Sequence, residues 1–115
     1  MNHSQKIGKL GQQIAVKFLQ SKNYEILAEN IYFRKGEIDI LAKKNDILRF
    51  IEVKTRTNLK FGYPEEAISE NKKEHLESAI NSYIEKNNID QEYRLEIISI
   101  VLDFQNKKAN IKFFN

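Results

Sequence analysis

The chain has 115 residues, 41% hydrophobic and 10% aromatic, so it is long and apolar enough for one folded domain and too short for two. The absence of cysteine excludes disulfides and thiolate metal sites, and two histidines are too few for an imidazole cluster, so any bound metal must have oxygen ligands. The net charge of +3 is a mild basic excess that suits an ordinary surface as well as an anionic partner.

The first residues of the chain, MNHSQKIGKL, are polar and lack the apolar core of a secretory signal. No segment of the sequence is long and apolar enough to span a membrane. We therefore expect a cytoplasmic protein that has no membrane partner.

The N-terminal region has the periodicity of an amphipathic helix. Ser4 belongs to the residue types that cap helices, and the pattern continues to about Lys22. The apolar stripe consists of Ile7, Leu10, Ile14 and Phe18, widened by Ala15 and Leu19. This helix is predicted to pack on a sheet.

From Tyr24 the pattern changes to short runs rich in β-branched and aromatic residues. These runs are YEILAENIYF, GEIDILA and DILRFIEVKT, and charged turns at 34–36 and 43–46 separate them. The pattern predicts three antiparallel strands in a meander.

A second helix follows a loop that holds the only proline. It begins near Glu65 or, if Ser69 caps it, near Glu70, and it continues to about Lys86. Its predicted inner stripe is Leu76, Ala79, Ile80, Tyr83 and Ile84.

The run LEIISIVL, from Leu95 to Leu102, is apolar enough for a strand buried on both faces beside a parallel neighbour. A right-handed helical crossover from the third strand would supply that neighbour. A short strand over about residues 109–114 completes the sheet. The predicted fold is a single α/β domain over residues 1–115, in the order α-β-β-β-α-β-β.

Hairpin geometry brings acidic residues of the second and third strands together. A turn centred on Asn45 and Asp46 places Asp39 opposite Glu52, and it places Leu41 opposite Phe50. The same register points Ile38, Ile40, Ile51 and Val53 to the other face. Opposed side chains have Cβ atoms roughly 4.5–5.5 Å apart, so the carboxylates repel unless a proton or a cation lies between them. Magnesium, which prefers oxygen ligands, would resolve that repulsion.

A structural ion network explains these residues equally simply. In that alternative Lys54, which lies on the same strand face as Glu52, neutralises both carboxylates and contacts Glu37. From the residues alone, the structural alternative is slightly favoured.

The order of elements and the acid followed by ExK resemble the PD-(D/E)xK nuclease superfamily, although the proline before the aspartate is absent. More closely, the chain resembles the YraN family of bacterial proteins, relatives of archaeal Holliday-junction resolvases. Nearly the whole chain takes part, through Gly8, Gly11-Gln12, GEIDI, FIEVKTR, FGYPEEAI, Lys72 and YRLEI. The resemblance implies a restriction-endonuclease-like core with a mixed five-stranded sheet flanked by helices, and it favours a functional site over the ion network.

The resemblance also implies roles for particular residues. Asp39 and Glu52 would ligate Mg²⁺ or Mn²⁺ together with the backbone carbonyl of Val53. Lys54 would lie beside the attacking water, where an ammonium group orients or deprotonates that water and offsets developing charge.

Residues next to this motif are candidates for phosphate binding. Thr55 and Arg56 follow the catalytic strand, and Arg56 suits a bidentate phosphate contact, but a solvated strand end explains both equally well. Lys72 lies on the inner stripe near the start of the second helix, which favours phosphate binding over packing of its aliphatic stem. Phe61 and Tyr63 are better explained as anchors of the loop than as stacking partners for a base.

Two residues depart from the family pattern. Gln12 replaces a usual glutamate of the first helix, which removes a negative charge from the predicted metal site. Glu96 replaces the usual aspartate of a late strand, which is a conservative change.

The resemblance implies a metal-dependent endonuclease acting on DNA, with branched or otherwise structured DNA as the expected substrate. Junction-cutting relatives are dimers, so a homodimer is an accompanying expectation. The alternatives are a non-catalytic nucleic-acid-binding module that retains the nuclease fold, which Gln12 motivates, and a scaffold for protein partners.

Overall fold

The computed structural model describes residues 1–60, 62–68 and 70–115. Its elements follow the predicted order, with a short 3₁₀ helix added before the second α-helix. They are α1 (His3–Ser21), β1 (Glu25–Phe33), β2 (Gly36–Lys44), β3 (Ile47–Arg56), the 3₁₀ helix (Pro64–Ala67), α2 (Glu70–Lys86), β4 (Tyr93–Asp103) and β5 (Lys108–Phe114).

The cap of helix α1 lies two residues before the predicted one. The Asn2 side chain accepts a hydrogen bond from the Gln5 backbone N–H at 2.8 Å, and the Gln5 side chain accepts one from the Asn2 N–H at 3.0 Å. This reciprocal capping box, rather than Ser4, starts the helix. The start of α2 agrees with the second predicted position, Glu70, while Ser69 lies outside the described residues.

The turn between β2 and β3 confirms the predicted hairpin register. Asn45 and Asp46 have positive φ angles of 53° and 61°, as a two-residue turn with the twist of a β-hairpin requires. Leu41 is paired with Phe50, and the pairing continues to Ile40 and Ile51. Asparagine and aspartate tolerate this backbone region because their short polar side chains form local hydrogen bonds.

The five strands form one mixed sheet in the order β1-β2-β3-β4-β5. The pair β3 and β4 is parallel, and the other neighbours are antiparallel. The parallel pair requires a crossover, which α2 provides, so the predicted βαβ connection is confirmed.

Each α-helix covers one face of the sheet, and each face has its own apolar core. The core under α1 contains Ala15, Leu19, Tyr24, Ile40, Ala42, Ile51, Ile98, Ile100 and Leu102. The core under α2 contains Ile38, Leu41, Leu48, Phe50, Leu76, Ala79 and Ile80, with Tyr83 and Ile84 packed against it. The inner stripe predicted for α2 is therefore confirmed.

Two predictions about strand faces were wrong. Ile38 packs with Leu41 and Phe50 in the core under α2, so β2 does not keep a strict alternation through Asp39. The run Leu95 to Leu102 is fully covered on the α1 face only, and Leu95 on the other face remains 41% exposed. The reason is that α2 packs chiefly against β2, and Leu95 is not part of the core beneath this helix.

Candidate active site where β2 and β3 separate

The strands β2 and β3 stop pairing at the acidic residues. The last paired residues are Ile40 and Ile51, and beyond them the Asp39 carboxylate, through Oδ2, accepts a hydrogen bond from the Val53 N–H at 2.9 Å. A side-chain oxygen therefore takes the place of a main-chain carbonyl in the ladder. The consequence is that the strands part here and leave a cleft in the sheet.

The carboxylates of Asp39 and Glu52 face each other across this cleft. Glu52 is only 4% exposed, and Asp39 is half-buried. Burial and, second, the charge of Glu52 raise the pKa of Asp39 from 3.8 to about 7, against the opposing effect of the Val53 hydrogen bond. The two carboxylates lie close enough to interact electrostatically, although the ladder ends before the Asp39–Glu52 pair that the hairpin register predicted.

Two lysines from different elements reach the same carboxylates. The Lys72 ammonium group of α2 lies 3.4 Å from Glu52 Oε1. Burial, followed by the hydrogen bond and charge of Lys72, lowers the pKa of Lys54. Burial acts against the charged form of Lys72 as well, but its contacts with Lys54 and Glu52 outweigh that effect and raise its pKa. Lys54 is thus the amine that more readily gives up its proton.

Helix α1 approaches β3 closely beside the cleft. Gly11 is buried against Thr55, and any side chain at Gly11 would collide with the Thr55 hydroxyl and methyl groups. This contact explains why glycine stands here, and it sets the position of the next residue. Gln12 consequently projects into the cleft, where its side-chain amide lies 3.4 Å from the Asp39 carbonyl.

The Gln12 amide connects α1 to a kink in β1. Its Nε2 donates hydrogen bonds to Glu29 Oε1 at 3.1 Å and to Asn30 Oδ1 at 3.0 Å. Asn30 has a φ of 53°. Its neighbours Glu29 and Ile31 are paired with residues of β2, but Asn30 itself is not. Sequence reasoning missed Glu29 and Asn30. The available signal was an asparagine, a residue that tolerates positive φ, inside a strand pattern.

The predicted site residues, with one exception, line a single groove. The groove has a volume of about 1140 Å³ and runs between α1, the β1–β2 hairpin and the start of α2. Of the predicted site residues, it is lined by Asp39, Glu52, Val53, Lys54, Thr55 and Lys72. Arg56, at the half-buried end of β3, does not line it, so the structure gives its predicted phosphate contact no support.

Two other residues are separate from the groove. Glu96 is 1% exposed and belongs to an ion network at the other end of β3, where it bonds Arg49 at 3.1 Å and the Tyr24 hydroxyl at 2.9 Å. Burial and this hydrogen bond raise the pKa of Tyr24 to about 12. Tyr63 lies under the Lys112 ammonium group, 3.8 Å from the ring centroid. Phe61 is outside the described residues.

The donor set of the cleft fits a magnesium-type ion. The described part of the chain contains no group of three or more His, Cys, Asp or Glu side chains placed to hold a metal. An ion here would be held by Asp39 and Glu52, with the Val53 carbonyl, water and phosphate oxygens completing the shell. Magnesium is commonly bound by one or two carboxylates in this way.

These features define a class of protein, an α/β domain with one mixed sheet between two helices and an acidic cleft flanked by amines. Residues 11–100 match the Uncharacterised protein family UPF0102, and the chain belongs to that family. This is the YraN family, so the resemblance is confirmed at family level. Among the described residues, no helix has the length and apolar character needed to cross a bilayer.

Several relatives share most of their length with this chain. It is similar to the UPF0102 protein of Flavobacterium psychrophilum, 44% identical over 94 residues, which cover 82% of this chain and 79% of the relative. It is 42% identical to the UPF0102 protein of Clostridioides difficile over 103 residues, covering 89% and 90% of the two chains. The relative from Caldicellulosiruptor saccharolyticus is 36% identical over 110 residues, covering 95% and 93%.

Proposed function

We propose that this protein is a metal-dependent endonuclease that hydrolyses phosphodiester bonds in DNA. The observation that carries the proposal is the convergence of Asp39 and Glu52, two carboxylates held together where β2 and β3 part, beside the Lys54 amine. Repulsion between neighbouring carboxylates lowers stability unless a cation or a proton offsets it. Functional sites commonly keep such groups, whose pKa values are displaced by burial and by like charge.

The residues of the cleft divide the chemistry between them. Asp39, Glu52 and the Val53 carbonyl would hold Mg²⁺ or Mn²⁺. When bound, the ion supplies charge that polarises the phosphate and lowers the pKa of water. Lys54, whose pKa burial lowers, orients the attacking water and accepts its proton. Lys72 and Thr55, which both line the groove, contact the phosphate, and Arg56, which lies outside the groove at the end of β3, would reach only the flanking backbone.

The fold assignment belongs to the same proposal. A restriction-endonuclease-like core accounts for the mixed five-stranded sheet, the central parallel pair and the position of Glu52 in the middle of that pair, beside Asp39 of β2. Branched or otherwise structured DNA as the substrate, a homodimeric assembly and a cytoplasmic location remain expectations from the family resemblance.

A second candidate function is a nucleic-acid-binding module that retains the fold and does not cut. The observation in its favour is Gln12, whose amide is occupied by hydrogen bonds to Glu29, Asn30 and the Asp39 carbonyl. A neutral amide in that position adds no charge to the site, and it leaves the metal with two carboxylates.

A cleavage assay separates the two candidates. Single-stranded, duplex, flapped and four-way DNA are incubated with the protein and Mn²⁺, with Lys54→Ala as the matched variant. We expect cleavage by the native chain and its loss in Lys54→Ala. Binding of any of these DNAs that falls steeply with salt and survives Asp39→Ala, without cleavage, would favour the binding module.

A further inference from the structure

The lining of the groove is not uniform in chemistry. The lysines of the groove, the groups suited to phosphate, are Lys54 of β3, Lys72 of α2 and Lys9 of α1. The part of the lining that comes from the β1–β2 hairpin and Gln12, which we call the hairpin wall, holds amides, carboxylates and one aromatic ring. The hairpin wall consists of Gln12, Glu29, Asn30, Tyr32 and Glu37. Because carboxylates repel phosphate, this wall is a poor match for the nucleic-acid backbone.

The hairpin wall presents an aromatic ring at the mouth of the groove. Tyr32 is 72% exposed and is the cross-strand partner of Glu37. Interaction with the Glu37 carboxylate, followed by the charge of Asp39, raises the pKa of Tyr32. The pairing with Glu37 places Tyr32 beside the acidic cleft, where the residue is largely exposed.

The kink at Asn30 gives the hairpin wall its shape. Ala28 and Ile31 are three residues apart, yet both pack against the core under α2, because the positive φ of Asn30 interrupts the alternation. The Asn30 side chain then donates to Glu37 Oε2 at 3.2 Å and accepts from Gln12. A network of hydrogen bonds thus orders the polar groups around Tyr32 before any ligand arrives.

This combination is complementary to a nucleobase. The Gln12 and Asn30 amides are engaged with each other and with Glu29 and Glu37, but each of these carboxylates has a second oxygen, and a glutamate oxygen can accept from the cytosine amino group. An exposed aromatic ring stacks on any base, which makes such contacts tolerant of sequence. We propose that the hairpin wall binds one unpaired nucleobase next to the phosphate that is cut. The proposal rests on the proposed function. The substrate would then be DNA with an unpaired nucleotide at the cleavage point, such as a flap, an open branch point or a single strand.

The test compares two DNAs of the same sequence, a continuous duplex and a duplex carrying a single-stranded flap. A 2-aminopurine replaces one unpaired base next to the branch, so that stacking quenches its fluorescence. The proteins are the native chain, Tyr32→Ala, Tyr32→Phe and a control, Phe104→Ala, which removes a 58% exposed ring outside the groove. Calcium serves as the divalent ion.

We expect the native chain to quench the probe and to bind the flap about tenfold more tightly than the duplex, since stacking on one aromatic ring has that effect. Tyr32→Ala loses the quenching and the preference, whereas Tyr32→Phe and Phe104→Ala keep both. Unquenched probe with the native chain, or native behaviour of Tyr32→Ala, overturns the nucleobase site.

The experiment also separates this inference from the nuclease proposal. If quenching depends on Tyr32 but the protein cuts no DNA with Mn²⁺, the nucleobase site is supported and the nuclease proposal is overturned. If the native chain and Tyr32→Ala both cleave duplex and flap at equal rates, the nuclease proposal is supported and the nucleobase site is overturned. A protein that binds neither DNA overturns both.

Discussion

Replacing Asp39 with asparagine should stabilise the metal-free protein. The substituted amide retains a side-chain oxygen that accepts the Val53 hydrogen bond, but the substitution removes the charge that faces Glu52. The pKa of Asp39 is higher in the folded chain, about 7, than its ordinary value of 3.8, so the fold binds this proton more tightly than the unfolded chain. Stability of the native chain is therefore greatest below pH 4 for this group, and it falls as the pH rises to 7.

The magnitude follows from the displacement of the pKa. A change from 3.8 to about 7 has an upper limit of about 4 kcal/mol at full ionisation. The neighbouring charges take up part of that energy, so we expect a gain of about 1–2 kcal/mol for Asp39→Asn. In a chain of this size the melting temperature should rise by roughly 5 °C.

Thermal unfolding in the presence of a chelator, at about pH 5 and about pH 8, measures this gain. The difference between Asp39→Asn and the native chain should be larger at the higher pH. Glu77→Gln, which neutralises an exposed carboxylate of α2, is the control and should leave both midpoints unchanged. A lower or unchanged midpoint for Asp39→Asn at the higher pH would refute the electrostatic reasoning.

Three further substitutions test other parts of the structure. Gly11→Ala should lower the free energy of unfolding by about 1–3 kcal/mol in urea denaturation, because the added methyl group collides with Thr55. Arg49→Met should cost about 3–5 kcal/mol, since it leaves the Glu96 carboxylate buried without its cationic partner, and manganese binding should be unaffected. Gln12→Glu should lower the melting temperature of the metal-free protein and tighten manganese binding in calorimetry, because it brings another carboxylate beside Asp39. Native-like unfolding of the first two variants, or weaker manganese binding by the third, would contradict these assignments.

Local sequence signals predicted much of the fold because the determinants are short-range. Asn45 and Asp46 fix a two-residue turn, and that turn alone sets which residues of β2 and β3 oppose each other. The periodic apolar stripe of α2 similarly identified its buried face. The hairpin register brought Asp39 and Glu52 together, whereas the interpretation of the cleft as a functional site came from the family resemblance.

The features that were missed depend on tertiary contacts. The positive φ of Asn30 reverses the side-chain alternation in β1, and the hydrogen bond from the Val53 N–H to Asp39 ends the ladder of β2. Neither is visible in an apolar pattern of period two. The incomplete cover of Leu95 depends on where α2 crosses the sheet, which the sequence of β4 does not encode.

The surroundings of Glu96 also depend on tertiary contacts. The sequence pattern marked it only as a conservative replacement on a late strand, and in the structure β4 runs parallel to β3 and pairs Glu96 with Ile51. Its side chain lies on the α1 face, where it contacts Arg49 and Tyr24. A buried carboxylate needs such partners, and they came from elements distant in sequence.

The central claim is that Asp39 and Glu52 together bind one divalent ion. Isothermal titration calorimetry with Mn²⁺ tests it directly, using the native chain, Asp39→Ala, Glu52→Gln and the surface control Glu77→Gln. We predict saturable binding of one ion per chain that either cleft substitution abolishes and the control preserves. Equal binding heats for the native chain and Asp39→Ala, or no saturable binding by the native chain, would contradict the claim.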